Sequence, residues 1–593
     1  MRKSLTRTLL MAAVPVLSLA LASVPAHAQR PAGKKPAATA PKPKPGTPAK
    51  PGTPAKPGAA GAADIELDEP AQPAQKAADT GPPPQAGQMT EQAAQAKRLF
   101  DSEKWLEAAS GAYRVYKGET NDDEGNKQLA QYQLAISLYR LKFYQAAYGI
   151  FSEIADKSNH LKFNETLLWL SKLATDLPEP ADIVERIGKY NDAQIEKFNN
   201  QNQRDLYWQL NYLLGRYKYR NRQYEDALRL FGKVSRQSKY YVRGQFFSGI
   251  SSVQLRRSVP AVQSFQRIVG AIEEGVEGVD DDARMRDLAH LSMARTYYSA
   301  SVRLDENGSP TIDSTKLSAA VKFWNKVDVG SEYWLDSLFE ESWAYFMAGD
   351  YAHALGNIHT LQAPYFPNSY YPEAEVLRAV IYFANCQYED AEVIVAKLQT
   401  KYQPIYDELN KVLGRFKGEG QEEAFYKFLK DVRDNKADLP PRIKTVVENA
   451  LSDRQLLRHL QYVQLLDDEA NRFKKAPSNF RESPLGNDTK DALQLARDIA
   501  VRNAGQLAKE RYQRNLDELN EHLRDSAKIL IDITSARRNQ LDQAIAGSQV
   551  TAKESERNIV KADDEHVIWP FAGEYWRDEL GFYRQTITSK CGR

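Results

Sequence analysis

The chain of 593 residues carries 80 lysines and arginines against 78 aspartates and glutamates, which gives a formal net charge of +2 at pH 7. This balance argues against bulk binding of nucleic acid, because that function needs a basic surface. The two cysteines, Cys386 and Cys591, are too few for a fold held together by several disulfides.

The first 28 residues have the pattern of a secretory signal peptide. Three basic residues precede an apolar run from 9 to about 22, and Ala26 and Ala28 stand where signal peptidase needs small side chains. The run is shorter than the ~20 residues that cross a bilayer as a helix. No cysteine near the expected mature end at Gln29 offers a lipid-attachment point. We therefore expect a periplasmic protein with no integral membrane segment in its mature chain.

Residues 29–89 are rich in Pro, Ala, Gly and Lys, and they include the unit KPGTPA twice in tandem, at 44–49 and 50–55. Without large apolar residues this segment cannot form a core, so we predict a disordered, polyproline-like linker. From Arg30 up to Asp64 it carries seven basic residues and no acidic one. Contact of this basic part with an anionic cell-wall polymer is one interpretation, and a solvated spacer, which we favour, is the other.

From 90 to 404 the apolar residues have helical spacing, and one element recurs: Tyr-x-x-Ala-x-x-x-apolar. Its copies stand at 144–151, 224–231, 351–358 and 388–395. A helical segment with a small residue and then an aromatic one precedes the copies. Less regular copies occur around 109–113, 249–265 and 294–324, whereas 164–199 has helical spacing without the element.

This pattern resembles the tetratricopeptide repeat (TPR), a pair of helices about 34 residues long. In that family, small residues stand where the helices cross closely and a large apolar residue fills the space beside the next pair. The resemblance covers about half of the chain and implies an all-α fold with a TPR-like α-solenoid over 90–404. Lys218 departs from it at an aromatic position, and the insertion DENGSPTIDST at 305–315 is expected to form a polar loop.

After the repeats we expect trailing helices over 405–440, which end at two successive prolines. The sequence then predicts one helix from 442 to 475, a loop over 477–488 and a second helix from 489 to 562 with heptad-like leucines. Within 441–562 the two helices are predicted to pair as an antiparallel coiled-coil hairpin. Self-association through the second helix is the competing interpretation.

The C-terminal tail, 563–593, concentrates large rings among charged residues, including Trp569, Phe571, Tyr575 and Trp576. So many rings need cover from another surface. Either the tail folds back onto the helical hairpin as a latch, which we favour, or it is an element that docks on a partner. For the cysteines we favour a buried Cys386 and an unpaired Cys591 over a bridge between them, because their distance in space is unknown from the sequence.

Catalytic signatures are missing from the sequence, which has no GxxxxGK, GxSxG, HExxH or paired-cysteine motif. The histidines are scattered through helical stretches, where surface or packing roles explain them better than metal binding. We therefore expect no enzymatic activity, no cofactor and no metal. A hydrolase site hidden within 405–480 is the alternative from another functional class.

In TPR proteins the first helices of the pairs line an inner groove, and rings recur at that position here with arginines beside them. The candidate peptide-binding residues are Tyr139, Arg140, Tyr212, Arg216, Tyr219, Arg220, Arg295, Tyr298, Phe346 and Phe383. Such a groove suits an extended peptide whose carboxylates pair with arginine. The alternative is that the rings pack helix on helix. The groove interpretation predicts that replacing Arg216 and Arg220 by alanine weakens partner capture without changing thermal unfolding.

The order of signal, linker, repeats, coiled coil and aromatic tail, with WPFAGEYWRDELGFYR at 569–584, resembles the periplasmic TPR proteins of the myxobacterial adventurous gliding motility apparatus. The resemblance implies a scaffold that connects inner-membrane and outer-membrane components, with other envelope proteins as its partners. The alternative is a TPR adaptor in outer-membrane biogenesis, polysaccharide export or cell-wall remodelling.

Overall fold

The computed structural model describes residues 81–276, 281–304, 310–367, 369–418, 420–451, 453–545 and 558–591. Within these ranges the regular structure is helical except for one pair of short strands, so the predicted all-α class is confirmed. None of the helices in these ranges is both long and apolar enough to cross a membrane. The expected signal peptide and the linker up to residue 80 lie outside the described residues, and 81–89 have no helix or strand.

The region of the predicted repeats consists of helices joined by short connections, and most of them pack on the helices before and after them in the chain. In chain order they are α1 (Glu91–Asp101), α2 (Trp105–Tyr116), α3 (Glu124–Arg140), α4 (Tyr144–Ala155), α5 (Phe163–Asp176), α6 (Ile183–Ile187), α7 (Asp192–Glu196), α8 (Arg204–Arg220), α9 (Tyr224–Phe231), α10 (Tyr241–Gln254), α11 (Ser258–Glu273), α12 (Asp282–Ser301), α13 (Ser314–Trp324), α14 (Trp334–Ala348), α15 (Tyr351–Leu361), α16 (Pro372–Ala384) and α17 (Tyr388–Gly414).

Small residues stand where the two helices of a pair cross. The alanines of the recurring element are fully buried, at Ala147, Ala227, Ala354 and Ala391. In α8, a Cβ added at Gly215 would lie only 2.6 Å from the ring of Phe231 in α9. In α10, a Cβ at Gly249 would lie 2.4 Å from the ring of Phe265 in α11. The same contact therefore recurs in successive pairs, and it is close enough to require glycine.

The irregular unit at 164–199 contains one full helix, α5, followed by the two short helices α6 and α7. A 3₁₀ turn at Glu179–Ala181 precedes α6. The insertion between α12 and α13 also differs from the expected loop, because part of it forms a strand. Strand β1 (Val302–Leu304) pairs antiparallel with β2 (Pro310–Ile312), with Val302 opposite Ile312.

The C-terminal helices are α18 (Glu422–Arg433), α19 (Pro441–Ala450), α20 (Arg454–Lys474), α21 (Ser478–Arg481) and α22 (Pro484–Ile545). The predicted single helix over 442–475 is therefore wrong. A new helix begins after Asp453, whose carboxylate accepts the backbone N–H of Leu456 at 2.9 Å. The predicted loop over 477–488 is also too long, because α22 already begins at Pro484. Its predicted end at 562 is wrong as well, since 558–562 are not in an α-helix.

Helix α22 does not pair with α20 alone, as a hairpin would require. It packs against α20 and also against α4, α16, α17 and α18. Leu516 and Leu519 of α22 share a hydrophobic core with Leu409 of α17 and Leu429 of α18. The leucine stripe of so long a helix has more apolar surface than one partner helix covers, so neighbouring helices cover the remainder.

Candidate functional site

The rings predicted to line a groove take part in helix packing. In four pairs, the ring near the end of the first helix contacts the tyrosine that begins the second helix. The ring centroids lie 5.2 Å apart for Tyr139 and Tyr144, 5.7 Å for Tyr219 and Tyr224, 5.8 Å for Phe346 and Tyr351, and 5.5 Å for Phe383 and Tyr388. These centroid distances lie within the range of about 4.5–7 Å that is typical of aromatic pairs. The ring contacts join the helices of a pair at the connection between them.

The two remaining predicted rings are buried and also pack on other rings. Tyr212 lies 5.2 Å from Tyr240, and Tyr298 lies 5.6 Å from Trp324, between ring centroids. Tyr139 is half-buried, and its hydroxyl donates to Asp176 at 2.5 Å. Of the predicted rings, those that keep some exposed surface are therefore Tyr139, Phe346 and Phe383.

Two of the predicted arginines form a shielded charge cluster. Arg216 and Arg220 of α8 both bond to Glu179 in the 3₁₀ turn, and Nη1 of Arg220 lies 2.7 Å from Oε1 of Glu185. The side chains of Arg216 and Arg220 are only 8% and 10% exposed. Arg458 of α20 adds a further cation 3.6 Å from Glu179. The structure thus brings Arg216 and Arg220 together around carboxylates of the chain itself.

The other two arginines lie apart from this cluster. Arg295 donates from Nε to Oε2 of Glu340 at 3.0 Å and from Nη2 to Oε1 at 2.6 Å, in the bidentate geometry that arginine favours. Arg140 is exposed, and its guanidinium lies 5.7 Å from the ring centroid of Trp105 and 6.0 Å from that of Trp169. Arg140 is therefore the predicted arginine whose charge faces solvent.

Helix α20 crosses the repeat helices, which the sequence did not predict. At its first turn, Nη2 of Arg454 lies 2.9 Å from Oε1 of Glu332, which precedes α14. Near its last turn, Nη1 of Arg472 donates at 2.6 Å to the carbonyl oxygen of Lys142, which precedes α4. The rise of an α-helix places these two ends about 27 Å apart. Helix α20, from the C-terminal third of the chain, thus contacts both an early and a late part of the repeat region.

Glu469 of α20 caps the start of α4. No side chain of α4's own N-terminal turn caps that helix. Instead, the fully buried carboxylate of Glu469 accepts the backbone N–H groups of Gln145 at 3.0 Å and Ala146 at 3.3 Å. These are donors that a helix start leaves without partners inside the helix. Burial raises the pKa of Glu469 to about 7, although these hydrogen bonds oppose the shift.

Glu469 allows a prediction about pH. We expect the variant Glu469→Gln to gain stability relative to the native chain as the pH rises from 5 to 8. The pKa of about 7 in the folded state lies above the ordinary 4.5, so between these two values the folded state holds a proton that the unfolded state has released. The free energy of unfolding of the native chain therefore falls by on the order of 3 kcal/mol as the pH rises. Glutamine does not titrate, so the variant does not have this loss.

Urea unfolding of both proteins at pH 5, 6, 7 and 8 measures this difference. All other titrating groups are shared, so their contributions cancel in the comparison. A difference in the free energy of unfolding that stays constant across the four pH values would contradict the assignment.

The C-terminal tail is bound covalently to the repeats. Cys386, between α16 and α17, and Cys591 form a disulfide, so the favoured expectation of unpaired cysteines was wrong. Their Cα atoms are 5.0 Å apart although 205 positions separate them in the sequence. The sequence could not show this proximity, because it depends on where the tail lies in the fold.

The tail packs as a latch on α15 and α16, and not on the helical hairpin that was predicted to receive it. Hydrogen bonds follow most of its length: Tyr365 donates to the carbonyl of Tyr575, the N–H of Gly581 to Thr360, the N–H of Gln585 to the carbonyl of Ala352, and the N–H of Lys590 to the carbonyl of Asn385. At Gly356 in α15, an added Cβ would lie 1.6 Å from the carbonyl oxygen of Tyr583. This approach is possible only for glycine.

The tail rings form a continuous row over His359 of α15. The row runs from Trp576 to Trp569, Tyr583, Tyr575 and Phe571, with centroid distances of 4.7, 5.4, 6.4 and 5.2 Å between successive rings. The imidazole of His359 stacks on Tyr575 at 4.6 Å. Trp569 and Tyr575 are half-buried, whereas Phe571 and Trp576 are 50% and 42% exposed. The latch thus leaves the two ends of the row partly exposed.

Within the described ranges, no three His, Cys, Asp or Glu side chains are grouped as a metal site would require. Several histidines are packed between helices. Burial lowers the pKa of His160, His459 and His522 to about 4, so these rings are neutral near pH 7.

No protein-family model matches the sequence, and no curated protein matches it.

Proposed function

We propose that this protein is an exported TPR-type scaffold that connects other proteins of the bacterial envelope in the periplasm. The observation that carries the proposal is the recurring helix crossing, in which Gly215 meets Phe231 and Gly249 meets Phe265 at the same sequence separation. Repeated crossings of this kind are what the TPR resemblance implies. Stacked helix pairs present extended surfaces, which repeat proteins use to bind polypeptides.

Two observations support export. The first 28 residues have the composition of a signal peptide, and Cys386 and Cys591 form a disulfide. Disulfides persist in oxidising compartments such as the periplasm and are rare in the cytosol. The disulfide is compatible with export in general, and the periplasm is the compartment that we propose.

We propose that a partner binds the repeats at those predicted groove residues that keep exposed surface. Arg140 faces solvent beside the half-buried Tyr139, and its guanidinium lies over two indole rings. Arginine over aromatic rings is suited to an acidic or aromatic side chain of a bound polypeptide. Arg216, Arg220 and Arg295 already pair with carboxylates of the chain, so we propose a structural role for them.

The test is capture of partners in the cells that express the protein, by chemical crosslinking and mass spectrometry. Envelope proteins should be captured with the full chain. Components of a gliding motility machine among them would support the narrower proposal. Barrel-assembly, polysaccharide-export or cell-wall enzymes would support the alternative adaptor role. Capture of cytosolic proteins alone would contradict both.

A further inference from the structure

The partly exposed rings of the tail are tied to the helices beneath them. The tail is held by the disulfide, by hydrogen bonds from its N–H groups to Thr360 and Ala352 of α15 and to Asn385 after α16, and by the stacked His359. Besides Phe571 and Trp576, the neighbouring Phe582 is 70% exposed and Ile568 is 59% exposed. A fixed aromatic surface loses little conformational freedom when it binds a ligand, which favours binding.

The segment that carries these rings is acidic. Between 561 and 584 the tail has six acidic residues and three basic ones. The acidic residues are exposed, at Asp563, Asp564, Glu565, Glu574, Asp578 and Glu579. Aromatic rings flanked by carboxylates fit an extended ligand that carries both apolar rings and positive charges.

The linker of the same chain has this chemistry. Its tandem units place prolines at 45, 48, 51, 54 and 57, and lysines at 44, 50 and 56. A polyproline II helix has about three residues per turn. In that conformation the five prolines would form a single stripe and the three lysines would lie together on a neighbouring face. Domains that recognise such helices do so with grooves lined by aromatic rings.

We propose that the aromatic row of the tail binds the proline stripe of residues 44–57. The prolines pack on the exposed rings of Trp576 and Phe571, and the lysines face the exposed carboxylates that neighbour these rings in the sequence. The interaction does not depend on partner binding by the repeats, so it goes beyond the proposed function. It would give the linker a binding site on the folded part of the chain.

The test uses the full chain with the five prolines of the stripe replaced by alanine, so that its own residues 44–57 do not compete with an added peptide. A fluorescent peptide of residues 41–58 is titrated into this protein, with fluorescence anisotropy as the readout. We expect saturable binding that weakens as salt is added. Trp576→Ala should weaken binding at least tenfold. The matched control is Ile531→Ala, which removes a side chain that is 67% exposed on α22 and should leave binding unchanged.

A second peptide has the same composition but no proline at three-residue spacing, and it should bind at least tenfold more weakly. Equal binding of the two peptides, or equal binding to the Trp576→Ala protein with an unchanged melting temperature, would overturn the proposal. Failure of partner capture by the repeats in cells would leave this binding unaffected, so the two proposals fail separately.

Discussion

Replacing Gly356 by alanine should displace the C-terminal tail and lower the free energy of unfolding by about 1–3 kcal/mol, the usual cost of overpacking. The added Cβ would lie 1.6 Å from the carbonyl oxygen of Tyr583, which is a backbone atom and cannot move unless the tail moves. Urea unfolding measures the loss of stability. Limited proteolysis should show faster cleavage between 558 and 591 than in the native chain.

Gly149 provides a matched control. It lies five residues after the tyrosine that begins α4, as Gly356 does in α15, but no atom from outside its own stretch of helix lies within 4 Å of an added Cβ there. Gly149→Ala should therefore stabilise the protein by up to ~1 kcal/mol, because alanine is the better helix former. Equal effects of the two substitutions, or unchanged cleavage of the tail in Gly356→Ala, would contradict the latch.

The double variant Arg216→Ala with Arg220→Ala should lower the free energy of unfolding by about 3–5 kcal/mol, because it removes both arginines from a shielded carboxylate. Glu179 is only 16% exposed and bonds to both of them. The sequence alone predicted unchanged thermal unfolding, on the assumption that these side chains faced a groove. The shielded cluster reverses that expectation.

Arg140→Ala is the exposed counterpart, and it should change the free energy of unfolding by less than ~1 kcal/mol. Urea unfolding of the three proteins at pH 7 makes the comparison. If the double variant unfolds at the same urea concentration as the native chain, the two arginines do not stabilise the fold and the cluster has no structural role.

The sequence predicted what depends on local spacing. Helical periodicity identified the all-α class, and the Tyr-x-x-Ala element marked the start of α4, α9, α15 and α17. From the same periodicity we predicted one helix where the structure has two, α19 and α20. Asp453 stands just before α20, and aspartate is a residue type that commonly caps a helix start. Local rules thus placed the helices better than the breaks between them.

Contacts between distant parts of the chain could not be predicted. The disulfide joins positions 205 residues apart, and the tail lies on repeat helices rather than on the predicted hairpin. Glu469 did leave a signal, since it stands on the same stripe of α20 as the buried Leu466 and Phe473. An acidic residue on an apolar stripe indicates a buried polar partner. Which donors it meets depends on the tertiary fold.

The proposal that the folded repeats hold other polypeptides is tested most directly by site-specific photocrosslinking in the cells that express the protein. A photoreactive amino acid replaces Lys172, which is exposed and, like Arg140, lies by the ring of Trp169, so that Arg140 stays in place. In a second strain it replaces Leu173, which is fully buried in the same helix. We predict a crosslinked envelope protein of defined mass from position 172 and none from position 173. No crosslinked protein from position 172, at equal levels of the folded chain, would contradict the proposal.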